Sequence, residues 1–240
     1  PIITALMMKY RDNTPIMLTD HGVFMRERLM AISSSEYSFF LKVMLTQLSS
    51  MVTEIAYKEA DTIVTVSKFN ISWEKMYGAN ARKIYVINNG IDKNAFVPAP
   101  KLAETREVPT VVAAARIFDL KDIETMIRSC AVAKEKIPNV KYLVYGDKEA
   151  VPEYTAKCEQ LISDLGLIDN FVLAGLHDNP QKIYNEGDIS ILTSISEGSP
   201  YSIIESMSCG IPVIATDVGG VSEVIDSDCG LSVNRKMLKL

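Results

Sequence analysis

Histidine is scarce in this 240-residue chain: only His21 and His177 occur, far apart in sequence. Two isolated imidazoles with no cysteine cluster lack the ligand spacing of a zinc site, so no metal is expected. Cysteine is sparse as well. Cys130, Cys158, Cys209 and Cys229 form no Cys-x-x-Cys pair and sit in apolar or small-residue stretches. They read as buried thiols of a reducing compartment, which places the chain in the cytoplasm, in preference to a disulfide framework. Basic residues show no excess. Lys and Arg total 25 against 30 Asp and Glu, a formal net charge of −5. A general nucleic-acid binder, which needs a positive surface to displace counterions, is excluded on that ground. An acidic chain can still hold a diphosphate, because a helix N-terminus with one or two cations does so locally. Apolar runs fall short of the roughly eighteen residues that span a bilayer. The opening residues 1–8 precede the first basic residues, the wrong order for a secretory signal. Short-period repeats, low-complexity tracts and a Gly-x-Gly-x-x-Gly loop are also missing.

Present in quantity are the ingredients of a packed α/β protein. Hydrophobic residues make up 48% and charged residues 23% of the chain, which excludes wholesale disorder. Short β-branched runs alternate with stretches of helical period, the mark of βα units around a parallel sheet. Strands are expected at 15–19, 62–66 and 83–87, with helices around Arg26, Glu27 and Arg28, at 36–59 and at 69–77. A turn cluster follows at 88–92. Residues 93–108, with Pro98 and Pro100 and no periodicity, read as a linker. Beyond it, strands are expected at 110–115, 140–145, 171–174, 188–193, 212–216 and 230–233. Helices are expected at 121–136, 152–166, 179–186, 200–209 and 219–226. This divides the chain into 1–95, the later part of a Rossmann-like domain, and 96–240, a nearly whole one. The proline start, and an end soon after a strand, suggest that parts are missing at both ends. The methionines at 7, 8, 25, 30, 44, 51 and 76 read as core or interface filler.

Chemistry concentrates between Ser194 and Gly220. Glu197 and Glu205 lie eight residues apart, with Gly198, Ser199 and Pro200 as a turn at a helix start. A parallel strand that feeds such a loop and helix builds an anion site at the strand's carboxyl end, where open α/β sheets bind ligands. Either glutamate alone would pass for a helix cap or a solvated face residue. Arg116 and Lys121 form a second pair, between a strand and the next helix, able to converge on a leaving diphosphate. Surface charges paired with Asp119 and Asp122 are the plain alternative. Gly146, at a strand end, could admit a phosphate or sugar close to the backbone, or simply turn the chain. His177 reads as an exposed loop residue and Ser67 as a weaker candidate. Asn89 and Gly90 mark the passage between domains.

Glu197-x7-Glu205, followed by Gly210-Ile-Pro-Val-Ile-Ala-Thr-Asp-Val-Gly-Gly220 and Glu223, resembles the donor-site signature of glycosyltransferase family 4. These are retaining enzymes of GT-B fold, in which two Rossmann-like domains face each other across a cleft. Thr193-Ser-Ile-Ser-Glu-Gly198, Thr19-Asp-His-Gly22 and Arg26-Glu-Arg28 are similar to the wording of PelF-type exopolysaccharide transferases. The resemblance implies that Glu197 approaches the donor sugar's hydroxyls and Glu205 holds the nucleotide ribose. Backbone amides at Tyr201, Ser202 and Ile203 would meet the diphosphate, and Arg116 and Lys121 match the family's Arg-x4-Lys element. His21 would stand near the donor sugar, Gly90 along the cleft, and the loop 174–177 beside the base. Ser199, Pro200 and Tyr201 stand where the family often has small or apolar residues. The implied reaction moves a sugar from a nucleotide-sugar donor, by the same resemblance a UDP-sugar, to a hydroxyl of an acceptor glycan. No cofactor is implied, and a membrane polysaccharide-export complex is the implied partner. Two alternatives share the frame: a sugar-nucleotide epimerase, and a non-catalytic nucleotide-sugar-binding fragment or accessory subunit.

Overall fold

The structure is a computed structural model that describes residues 2–99 and 107–234. Contacts group the chain up to Asn89, together with Glu197–Ser199, into one unit, and the remainder from Gly90 onward into a second.

In the first unit, three parallel strands, β1 (Met17–Asp20), β2 (Thr62–Thr65) and β3 (Ile84–Val86), pair in the order β1-β2-β3. Four helices accompany them: α1 (Ile2–Asp12), α2 (Phe24–Ser34), α3 (Phe39–Glu59) and α4 (Lys68–Met76). All three expected strands form. Their core is small, built from Tyr57, Ala60, Ile63 and Ala79. Asp61 anchors the entrance to β1: its carboxylate accepts from the Ile16 amide at 2.8 Å and pairs with Lys9 at 3.0 Å. That pair gives the unanticipated helix α1 its hold, and Lys9 and Arg11 in its last turn also suit the helix dipole.

Two expectations need correction here. The first concerns apolar length: α3 is long and apolar enough, by length and composition, to cross a membrane, and little of that stretch is buried. Lys42 and Glu54 break the run in the sequence, but the helix keeps Phe39, Phe40, Met44, Leu48 and Met51 exposed. The second concerns methionine. Met25 is buried, whereas Met7, Met8, Met44, Met51 and Met76 are exposed, so most of these side chains fill no core of the described residues.

The second unit holds a six-stranded, wholly parallel sheet in the order β6-β5-β4-β7-β8-β9. Its strands are β4 (Thr110–Ala114), β5 (Lys141–Tyr145), β6 (Phe171–Gly175), β7 (Ile189–Leu192), β8 (Val213–Thr216) and β9 (Gly230–Val233), each where the sequence predicts it. α5 (Ile123–Lys136), α6 (Pro152–Asp164) and α7 (Tyr201–Ser208) also form. The segments expected as helices at 179–186 and 219–226 are instead 3-10 turns, Pro180–Glu186 and Val221–Glu223. Seven and three residues are too few for a stable α-helix without a packed amphipathic face.

Alternation along β4 explains why both faces of this sheet are covered. Val111 and Ala113 join the core with Ile123, Met126, Ile127 and Cys130 of α5 and Cys158 of α6. Val112 points the other way, against Tyr184 and Cys209. Cys130, Cys158 and Cys209 are buried free thiols as expected, while Cys229 is only partly buried. Chain order runs outward from β4 in two directions, β5 and β6 on one side, β7 to β9 on the other. The loops after β4 and β7 therefore diverge at a topological switch point, the place where open α/β sheets bind ligands.

Candidate functional site

The loop after β4 carries the first cation pair. Arg116 lies two residues beyond the strand, is exposed, and stacks its guanidinium 4.7 Å from the Phe118 ring centre. Lys121 ends a 3-10 turn, Asp119–Lys121, so it precedes the helix it was expected to begin. Asp122 then adopts a left-handed φ of 49° and caps α5 through the Thr125 amide, at 3.3 Å. An aspartate tolerates this conformation, and the cap turns the chain sharply after Lys121.

The loop after β7 braces this turn. The Thr193 hydroxyl is placed to donate to the carbonyl oxygens of Lys121 and Asp122, both at 2.9 Å. The Ile195 amide donates to the Leu120 carbonyl at 2.8 Å. Thr193 is buried, so water competes little for the bonds that tie the two loops together. Pro200, at the N-cap position, introduces α7, which has no side-chain cap. Ile203 is fully buried, and its amide donates to the Pro200 carbonyl at 3.3 Å. The remaining first-turn amides, at Tyr201 and Ser202, are of the kind that helix starts offer to anions.

Glu205 lies on α7, where its Oε2 accepts a hydrogen bond from the Tyr184 hydroxyl at 2.7 Å. Burial, followed by the Glu205 charge, raises the Tyr184 pKa far above its ordinary value, so this phenol stays a neutral donor. Gly146 has a packing reason to be glycine: a Cβ there would sit 2.0 Å from the Ala115 carbonyl oxygen. Its amide donates to the Gly175 carbonyl at 2.9 Å. Gly90 is exposed with open space around it.

The structure thus places Arg116 and Lys121 on the loop after β4 and Tyr201, Ser202 and Glu205 on α7, beyond the β7 loop that bonds to the Lys121 turn, whereas the buried Ile203 has its amide already bonded within the turn. Glu197 and His21 fall in the first unit. There Gly198 packs tightly on the chain beside His21, since a Cβ on Gly198 would lie 2.5 Å from the His21 carbonyl oxygen. His177 corrects the expectation of an exposed loop residue. Its side chain is only 17% exposed, its Nε2 sits 2.8 Å from Glu186 Oε1, and its Nδ1 accepts from the Asn179 amide at 2.7 Å. The Nδ1 acceptor role leaves the proton on Nε2. Tyr145 also donates to Glu186, and its burial and this carboxylate push its pKa up to about 12.

Three features escaped the sequence: Thr193, Tyr184 and, around the weaker candidate Ser67, a buried polar group in the first unit. Thr65, Ser67, Asn70 and Glu74 are 0–1% exposed, and among the described residues their side-chain polar atoms have no well-formed hydrogen bond, although the Thr65 hydroxyl lies close to the Glu74 carboxyl. Burial raises the Glu74 pKa; the nearby Thr65 hydroxyl lowers it and the Asp20 carboxylate raises it further. Asp20 accepts a hydrogen bond from Tyr57, and its own pKa is raised by burial. A cavity of about 580 Å³ opens in the second unit beside Val97, Pro98, Lys182 and Asn185. None of the expected site residues lines it. Among the described residues, no three His, Cys, Asp or Glu side chains gather as a metal-binding group.

Comparison with known proteins bears on the same region. Residues 99–236 match the family described as glycosyl transferases group 1, and residues 2–82 match a domain of unknown function. A D-inositol 3-phosphate glycosyltransferase of Mycobacteroides abscessus is 30% identical over 73% of this chain and 39% of its own length. An uncharacterised glycosyltransferase of Methanocaldococcus jannaschii is 33% identical over 49% of this chain and 28% of its own. The chain thus spans less than half the length of either relative. Among solved structures, HepE of Anabaena in complex with UDP-glucose superposes with a TM-score of 0.78 at 20% identity, over 99% of this chain and 64% of that one. Sucrose-phosphate synthase of Thermosynechococcus elongatus gives 0.80 at 22% identity, over 98% and 58%. The fold is that of the GT-B glycosyltransferases.

Proposed function

The chain belongs to the group 1 glycosyl transferases, and from that membership we propose that it takes a nucleotide-sugar donor, a UDP-sugar, and passes the sugar to a hydroxyl of an acceptor glycan with retention at the anomeric carbon. The observation that supports this reading is the pair of loops at the switch point, joined by the Thr193 and Ile195 hydrogen bonds, with Arg116 and Lys121 on one and the uncapped start of α7 following the other. Positive charge held rigidly there stabilises negative charge as it develops on a leaving diphosphate. The bond between the anomeric carbon and the β-phosphate oxygen breaks, the acceptor oxygen bonds to that carbon from the same face, and its proton passes to the departing diphosphate. Glu205 holds the ribose, and Gly90 and Gly146 line the approach within the second unit. Group 1 members of this fold typically need no metal, which fits cations supplied by side chains.

The PelF-like wording around Thr19 and Thr193 supports a place in exopolysaccharide synthesis at a membrane export complex. Free thiols at all four cysteines support the cytoplasm as its compartment. Incubation with UDP-glucose and glucan oligosaccharides, followed by NMR of the product, tests the reading. An elongated product whose new linkage keeps the donor's α configuration is expected. A β linkage refutes retention, and elongation only with other nucleotide donors refutes the UDP assignment. Absence of transfer with every sugar nucleotide refutes the transferase reading.

A further inference from the structure

Glu205 and Tyr184 are 21 residues apart in sequence yet share a 2.7 Å hydrogen bond. Tyr184 is 1% exposed and comes from the 3-10 segment between β6 and β7. Its ring packs against Val112 of β4 and Cys209 at the end of α7, with the Phe96 ring centre 6.4 Å away. A phenol so fixed leaves its hydroxyl little choice of direction. Glu205, by contrast, is a half-buried side chain on the short helix α7 and has several rotatable bonds to order before it can hold a ligand. A carboxylate offers about four lone-pair sites, and the tyrosine occupies one of them on Oε2.

We propose that Tyr184 is the positioning residue for Glu205: it fixes the carboxylate so that its remaining lone pairs meet the ribose hydroxyls, and it thereby sets preference for ribonucleotides over deoxyribonucleotides. This rests on the assignment of Glu205 to the ribose. A pre-ordered acceptor loses less freedom on binding, and the gain is confined to ligands that carry the hydroxyl.

Calorimetric titration of UDP and 2′-deoxy-UDP tests this in the wild type, Tyr184→Phe, Glu205→Ala and the double variant, with GDP and ADP pairs run alongside. The wild type is expected to favour the ribonucleotide about tenfold, the worth of a hydrogen bond to a charged group. Tyr184→Phe should lose most of that preference by weakening UDP alone, raising donor KM and leaving kcat nearly unchanged. In the Glu205→Ala background the same substitution should have no further effect, because the tyrosine acts through the glutamate. Equal weakening of both nucleotides by Tyr184→Phe, or an unchanged ratio, overturns the inference even if the protein melts earlier. If Glu205→Ala binds both nucleotides like the wild type, the ribose assignment itself falls and this inference falls with it.

Discussion

The Thr193 side chain, at the end of β7, reaches back across the sheet edge to the main chain of Lys121, 72 residues earlier, at 2.9 Å. This bond joins the two loops on either side of the switch point and fixes the main chain at Lys121. Thr193→Val keeps the volume and removes the hydroxyl, leaving two carbonyls without that donor. Stability should fall by about 1 kcal/mol, the worth of one buried hydrogen bond. Nucleotide affinity should drop several-fold as the loop loosens, measured by calorimetry beside thermal melting.

Arg116 and Lys121 carry the charge itself. Each replaced by alanine should lower kcat by about 100-fold or more, the usual cost of one preorganised electrostatic partner in a transition state. Donor KM should change far less. Thermal unfolding should barely move for Arg116→Ala, since the guanidinium is exposed and its visible partner is the Phe118 ring. Initial rates at saturating donor, with melting curves as a control, check both.

Gly146 is held by the backbone on two sides, through its amide to Gly175 and through the strand pairing of Tyr145 with Ala115. A methyl group 2.0 Å from the Ala115 oxygen has nowhere to go. Gly146→Ala should cost about 3 kcal/mol, as severe overpacking does, and denaturant unfolding reads it directly.

Glu74 supplies a pH-dependent prediction. Burial lifts its folded-state pKa above the ordinary 4.5, so the folded state binds its proton more tightly than the unfolded chain. That contribution is greatest below about pH 4.5 and is lost as pH rises through the folded-state value. Glu74→Gln should therefore stabilise the first unit by about 1 kcal/mol at pH 7. The gain should shrink towards zero at pH 4. Melting temperatures across pH 4–8 decide it, and a gain independent of pH would contradict the account.

The parallel sheet of the second unit was legible in the sequence because its strands are buried on both faces and read as apolar runs, as in Thr110–Ala114. The placement of Arg116 and Lys121 between β4 and α5, and of Glu205 on α7, was legible because each is set within a few residues of a strand or helix. Partners set by tertiary contact were not. Tyr184 lies in an unremarkable Lys182-Ile-Tyr stretch, and only the folded chain brings it to Glu205. His177 gave no sign of Glu186, since the bond depends on how the 3-10 segment returns to β6. The helix at 39–59 shows the limit of periodicity, which located it but not which of its apolar residues are covered. The helices expected at 179–186 and 219–226 failed for a local reason: Pro180 and Gly187, and then Gly220, leave too few residues between breakers.

The most direct test of the whole account is whether the β4–β7 edge recognises a diphosphate. Calorimetry with UDP and with uridine, on the wild type and on the Arg116→Ala/Lys121→Ala double variant, isolates that contribution. UDP should bind the wild type about 100-fold more tightly than uridine, and the double variant should lose nearly all of that advantage. An undiminished preference for UDP in the double variant would place the phosphates elsewhere and contradict the account.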